Sequence, residues 1–332
     1  MSFSRYNPED SVISSEAVVR GLWSGDNNTL NYFYTSSTFT EYYLDVYNAC
    51  ELCSGSVVQF AIQYGNINGS GSKLINSAVS GASPSRIVYG EYRNLVYGTE
   101  DAYFSFDNNA TTGSDIFIIN VARNRYKESL LPGSLNLALT SGSNTIKLTD
   151  DSGTTNLTRF IGENRVFYVI SGSNGVGYNS AASSSYYGMM FPDLNIIILN
   201  AKSGSSTSIL PYITSSLPTT TATVSNNHAV LYRAIVSGSS TSSFQLQSEE
   251  TVSSRYFFTR VKNSDFNYTT NPSIIDANGN LLYTTLINNP QTYITTVGMY
   301  NDNNELLAVA KLSQPLTKDF TKEALIRIKL DY

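Results

Sequence analysis

The run Cys50-Glu51-Leu52-Cys53 is the one place in the chain where two soft ligands stand at a spacing used by metal or redox chemistry. Two cysteines so placed make half a zinc site or a dithiol couple. Zinc would need two further ligands, and the 332 residues hold no other cysteine and a single histidine, His228. A redox couple usually opens a helix after a strand, whereas Ser54-Gly55 follow here. The expectation is a pair of ordinary thiols. His228 would have to carry any Ser–His–acid triad. It sits in Asn226-Asn227-His228-Ala229, which reads as a helix cap, and the chain has no G-x-S-x-G elbow. A surface or cap-proximal histidine is expected.

Other stretches imitate known sites without completing them. GNINGSGSK, from Gly65 to Lys73, has the look of a phosphate loop, but Ser72 separates Lys73 from Gly71 and no buried strand leading into a helix is expected. Gly172–Gly177 is a glycine-rich turn without dinucleotide-site spacing. Asp276-Ala277-Asn278-Gly279-Asn280 begins like a calcium loop, yet its twelfth position is Ile287 where a bidentate Glu is needed, so a hairpin turn is expected. Asp150-Asp151-Ser152-Gly153 reads as turn chemistry. Glycoside hydrolysis needs two carboxylates that can be far apart in sequence, and nothing nominates a pair. Trp23, the only tryptophan, leaves little for a sugar-stacking platform beyond the tyrosines. These residues name no catalytic, cofactor-binding or metal position, and a non-enzymatic protein without a cofactor is expected.

The elements that would position any such group are mostly strands. Charged residues make up 14% of the chain against roughly 25% in an average domain, and Ser, Thr, Asn, Gly and 24 tyrosines fill the gap. Those types suit strands, turns and loops better than helix interiors. A Tyr-rich, weakly charged surface also suits contact with other subunits. The net charge of −5 argues against nucleic acid as a partner. MSFSRYNPED lacks the features of a signal peptide, and no apolar run approaches the roughly 18 residues of a membrane span, so neither a leader nor a membrane partner is expected.

The fold class expected is all-β or β-dominated α+β, with antiparallel sheets or sandwiches and one or two short packed helices. Residues 1–20 read as an N-terminal arm. Residues 21–130 read as a β-rich domain with one helix, 131–225 as a β-rich middle domain, and 226–332 as a C-terminal β-rich region that can share a sheet with earlier segments. In the first domain Val58, Phe60 and Ile62 alternate with Gln59, Ala61 and Gln63, the signature of a strand with one wet face. Ser83 as N-cap and Pro84 at the first helical position open the clearest helix, about residues 84–97. Residues 135–139 and 145–149 make a hairpin across Ser141–Asn144, and 165–170, 186–191 and 194–199 are strands. Residues 202–225 read as a Ser/Thr-rich loop, and 227–237 as a short helix ended by Gly238. Strands are then expected at 244–247, 255–262 and 281–286. TYITTVGMYNDNNELLAVAKL, residues 292–312, is a hairpin whose strands are expected to join the last one, where Ile326, Ile328, Leu330 and Tyr332 alternate with charged residues.

TVGMYNDNNELLAVAK, residues 296–311, resembles the VGLYD…GxLxAVG hairpin of tail-fibre and baseplate-associated proteins of tailed bacteriophages. SPSRIVYGEYRNL (83–95), SFQLQSEET (243–251) and the stretch from Asn288 to Asp331 are similar to virion structural proteins of contractile-tailed phages, particularly those of cyanobacteria. The hairpin departs from the commoner form in carrying Asn303-Asn304 where Gly is usual, and Asn tolerates the positive φ such a turn needs. The resemblance implies a structural subunit in the tail baseplate or fibre-attachment region of a virion, assembled in the host cytoplasm. Its partners would be other baseplate, tail or fibre subunits and further copies of itself. A receptor-binding module that recognises host glycan, and a neck or head-decorating protein, are the alternatives.

Overall fold

The structure is a computed structural model, and it describes residues 5–35, 42–49, 54–71, 83–106, 112–154, 158–178, 186–203, 227–237 and 243–331. Cys50, Cys53, Lys73, Gly238, Tyr332 and most of the expected 202–225 loop lie outside the described residues. Among the described residues strands dominate. The first half runs β1 Ser11–Gly21, β2 Thr29–Leu30, β3 Tyr34–Thr35, β4 Tyr43–Tyr47, β5 Val58–Asn66, α1 Ser85–Tyr97, β6 Phe104–Ser105, β7 Thr112–Val121, β8 Ser129–Leu130, β9 Asn136–Ser141 and β10 Asn144–Asp150. The chain then returns repeatedly to the same sheet. The second half runs β11 Arg159–Ile161, β12 Asn164–Ser173, β13 Val176–Gly177, β14 Gly188–Phe191, β15 Ile196–Ser203, α2 Asn227–Val236, β16 Phe244–Gln245, β17 Gln247–Val261, α3 Thr284–Asn288, β18 Thr292–Tyr300, β19 Leu306–Lys318 and β20 Ala324–Asp331. This is the β-dominated, antiparallel architecture the composition implies.

The chain divides into two compact units, Val18–Glu250 and a smaller one of Met1–Ala17 with Thr251–Tyr332. The expected boundaries near residues 130 and 225 are not boundaries. One antiparallel sheet in the larger unit runs β2-β16-β9-β10-β12-β14-β15-β7-β5-β4-β3, so strands from all three expected domains are hydrogen-bonded neighbours. Residues 11–17 of the expected arm are strand as well.

Why the centre of this sheet forms is legible in β7 and β15. Their runs DIFIINV and IIILNA are apolar at successive positions, as strands covered on both faces must be. Ile116 and Ile118 of β7, with Ile196 and Ile198 of β15, face the core under α1, where Val88, Tyr89, Tyr92 and Val96 pack. Phe117, Ile119, Ile197 and Leu199 face the opposite core with Leu231, Ala234 and Ile235 of α2. Helix α2 touches β9 near one end of the sheet and β4 and β5 near the other, so the sheet curls around it. Trp23 closes the curl. It contacts the rings of Phe60 and Phe244, and its indole N–H donates to the Phe244 carbonyl at 2.8 Å.

The expected wet face of β5 is dry for the same reason. Gln59 and Gln63 are buried, and each is held by a specific partner. The Tyr92 hydroxyl of α1 donates to Gln63 at 2.5 Å, and Gln59 donates to Ser24 Oγ and the Val57 carbonyl. Period-two polarity marks two chemically distinct faces, and a covering helix with a polar tip can bury the polar one. Helix α1 starts one residue later than expected: Pro84 is the N-cap and Ser85 the first helical residue, with the Ser83 hydroxyl accepting from the Ser85 N–H just ahead of it, and Gly98 ends the helix at φ 71°.

In the smaller unit, Ser254–Val261 of β17 pair with β20 in full register. Strands β18 and β19 form a separate two-stranded sheet, so the hairpin does not join the final strand as expected. The expected strand at 281–286 is also replaced. Leu281 makes an isolated bridge to Ile275 across the Asp276–Asn280 turn, and residues 284–288 turn as α3. The Asp276 carboxylate accepts from the Asn278 and Asn280 N–H groups and folds the chain back at this turn.

Candidate interaction surface

The positions that hinted at chemistry are structural. Asp276 is a turn-former, as expected from its spacing. Asn174 and Gly175 take φ of 53° and 76° in the tight turn between β12 and β13. Asp150 and Asp151 lie deeper than turn residues usually do, and both are buried. Asp150 accepts from the Gly133 N–H at 2.8 Å and the Ser152 N–H at 3.2 Å, locking two loops together. Burial pushes its carboxyl above the usual carboxylate range, against hydrogen bonds from Ser152, Gly133 and Leu135. Asp151 pairs with Arg159 at 2.6 Å and accepts from the Tyr168 N–H.

The Gly65–Gly71 turn leaves the buried β5, but α1 begins only at Ser85, well past Lys73, and its entrance is already filled. Ser70 accepts from the Arg86 N–H through its carbonyl and from the Ser83 N–H through its hydroxyl. The N–H groups that would cradle a phosphate are therefore used within the chain.

His228 is not on the surface. It is the second residue of α2, 3% exposed, and its Nε2 has no hydrogen-bond partner. Burial lowers its pKa to about 4, so the ring is neutral at pH 7. On β5 and β7, the Tyr64 hydroxyl, Asn66 Nδ2 and the Ser114 hydroxyl all donate to the Asp115 carboxylate. Burial, reinforced by the Asp115 charge, raises the Tyr64 pKa far above the usual phenol range. The tyrosine therefore stays a donor at every accessible pH. Among the described residues no three His, Cys, Asp or Glu side chains gather where they could hold a metal ion. A cavity of about 350 Å³ is lined by Gly21–Trp23, Gly25, Asp26, Asn124 and Arg125, where the Arg125 guanidinium already donates to Ser24 and Asn124.

What the described residues do present is an apolar surface on the smaller unit. Among the described residues its buried apolar side chains are Phe257, Pro290, Ala324 and Ile326. At roughly 1.5–3 kcal/mol for each of Phe257 and Ile326 and less for the smaller side chains, they offset the ordering of only a handful of residues at about 1–2 kcal/mol per residue. Meanwhile Tyr293, Tyr300, Leu306, Leu307, Val309 and Leu316 of the β18–β19 ribbon are all exposed, and Leu307 keeps 65% of its surface. A lone two-stranded ribbon is marginal in water, yet this one is built with care at both ends. Asn301 Oδ1 accepts from the N–H groups of Asn303 and Glu305, and Asn304 takes φ 62°, the left-handed conformation expected of Asn at this point of the turn. At the other end the buried Lys318 ammonium donates to the Asn263 and Asp265 carbonyls and to Asn267 Oδ1, fixing the ribbon's base to the 263–267 turn. Sequence spacing located the ribbon, whereas Lys318 gave no signal, because nothing local distinguishes a lysine that points inward.

No known protein family, curated protein or solved structure matches this chain.

Proposed function

We propose that this chain is a structural subunit that works by protein–protein assembly, with the smaller unit as its joining element. The observation that carries this reading is the inverted burial of that unit. Its large apolar side chains are mostly exposed, and the ribbon that displays them is pinned at turn and base. Large apolar side chains left exposed in this number on one element mark contact with other proteins. The hairpin's similarity to tail-fibre and baseplate-associated proteins supports a setting in the virion of a contractile-tailed phage, at the tail baseplate or fibre-attachment region. There the subunit would meet other baseplate, tail or fibre proteins. Individually weak contacts, repeated around a symmetric particle, hold such a subunit in place because each bound neighbour raises the effective concentration of the next.

The test is mass spectrometry of purified particles of the phage that encodes the chain. The polypeptide should be present at a fixed ratio to the tail proteins and should survive salt washing. Particles that are complete and infectious without it would refute the assignment.

A further inference from the structure

The two edges of the ribbon are built differently. Along β19 the ladder is broken: Ile294 pairs with Leu316 and Thr296 with Lys311, so residues 312–315 bulge against Thr295 alone. That strand also carries Lys311 and Pro315. A bulge, a lysine and a proline are the devices that keep a sheet edge from pairing with another chain. Strand β18, TYITTVGMY, has none of them: its nine residues include no charge and no proline. Its far side has no partner strand among the described residues, because the sheet contains β18 and β19 alone.

We propose that β18 pairs antiparallel with β18 of a second copy of this chain, about a two-fold axis at Thr296. The pairing rests on the reading of the smaller unit as an assembly element and names that element's partner. An antiparallel edge is complementary to itself, so a two-fold needs no further chemistry to match donors with acceptors. Centring on Thr296 puts Tyr293 of each copy opposite Met299 of the other and uses the full strand. Charge selects the direction. The ribbon's acidic residues, Asp302 and Glu305, lie at its turn. A parallel pairing would place the two acidic turns side by side, whereas the two-fold separates them by roughly the length of the strand, about 30 Å. The result is a four-stranded sheet shared between two copies, with the bulged β19 edges outermost and protected.

Single-cysteine variants of the full-length chain, made with Cys50 and Cys53 changed to Ser, test the geometry. In the proposed pair the two copies of residue 296 face each other at about 4.5–5.5 Å between Cα atoms, within disulfide reach. T296C should therefore form a disulfide-linked dimer under mild oxidation, and N303C, at the turn, should not. Thr296 faces Lys311 across the hairpin, so T296E keeps a favourable cross-strand pair within each copy while opposing two carboxylates across the axis. Sedimentation should show the wild type self-associating and T296E weakened at least about tenfold. A wild type that stays monomeric at tens of micromolar overturns the pairing. So does self-association that T296E leaves unchanged, or crosslinking of N303C in place of T296C. A monomer that is nonetheless found in purified particles would overturn the pairing alone and leave the assembly reading standing.

Discussion

Acidification should unfold the larger unit through His228, and the size of the effect follows from the ring's surroundings. The imidazole is 3% exposed, with Nε2 unpartnered, and burial lowers its pKa to about 4. In the unfolded chain the same ring titrates near 6.5. The unfolded state therefore binds the proton first. The stability contributed by the neutral ring is complete above about pH 6.5 and is lost as pH falls through the folded value near 4. Between the two, each pH unit costs about 1.4 kcal/mol, and the whole window costs about 3 kcal/mol. Trp23, the only tryptophan, is buried in the core that α2 shares, so its fluorescence reports this unfolding directly in urea. Because acid also titrates many carboxylates, the informative quantity is the difference between wild type and H228L. At pH 7.5 the two should agree within about 1 kcal/mol, since Leu removes a ring whose Nε2 makes no hydrogen bond. At pH 4.5 H228L should be the more stable by about 2.5 kcal/mol. Parallel pH profiles would refute the reasoning, since they would mean that the ring is solvated or paired when charged.

Three further substitutions probe the frame and the ribbon. D150A should destabilise the larger unit by about 2–4 kcal/mol in urea unfolding, because it strands the N–H groups of Gly133 and Ser152 without their acceptor; a change under 1 kcal/mol would show that water replaces the carboxylate. G188A should cost about 1–3 kcal/mol or more by the same assay. Its new methyl would lie 2.2 Å from the Ile198 carbonyl oxygen in the middle of the sheet, and a neutral outcome would mean that β14 and β15 can part. N301A should leave Trp23-detected unfolding unchanged while speeding hydrogen exchange in 292–318, since it removes the acceptor for two turn N–H groups; unchanged exchange would show that the turn is held by its strands alone.

The fold class was legible because composition and pattern reported the same physics. The β-branched run Ile196–Leu199 read as a short buried strand, and Ser83 and Pro84 located the start of α1 to within one residue. Long-range closure was not legible. Nothing local in β7 says that it lies between β5 and β15, so cutting the chain near residues 130 and 225 separated strands that pair. Gln59 and Gln63 misled because alternation records chemical difference between faces and does not report which face meets water. His228 misled in the opposite sense, since a capping context and deep burial coexist at the start of α2. The ribbon was located by its turn residues, but its isolation from β20 was not: Tyr293 and Val309 look like ordinary inward-facing residues until the neighbouring strand proves absent. On the assembly reading proposed above, these apolar residues, patterned for burial and left exposed, are covered by another molecule.

Amide hydrogen exchange across residues 292–318, compared between dilute free protein and assembled particles, tests that claim most directly. The ribbon should exchange rapidly in the free protein, as a lone two-stranded sheet does, and become strongly protected on assembly while β7 and β15 stay protected in both. Equal protection of the ribbon in the dilute monomer and in the particle would contradict the account, because the strands would then need no partner.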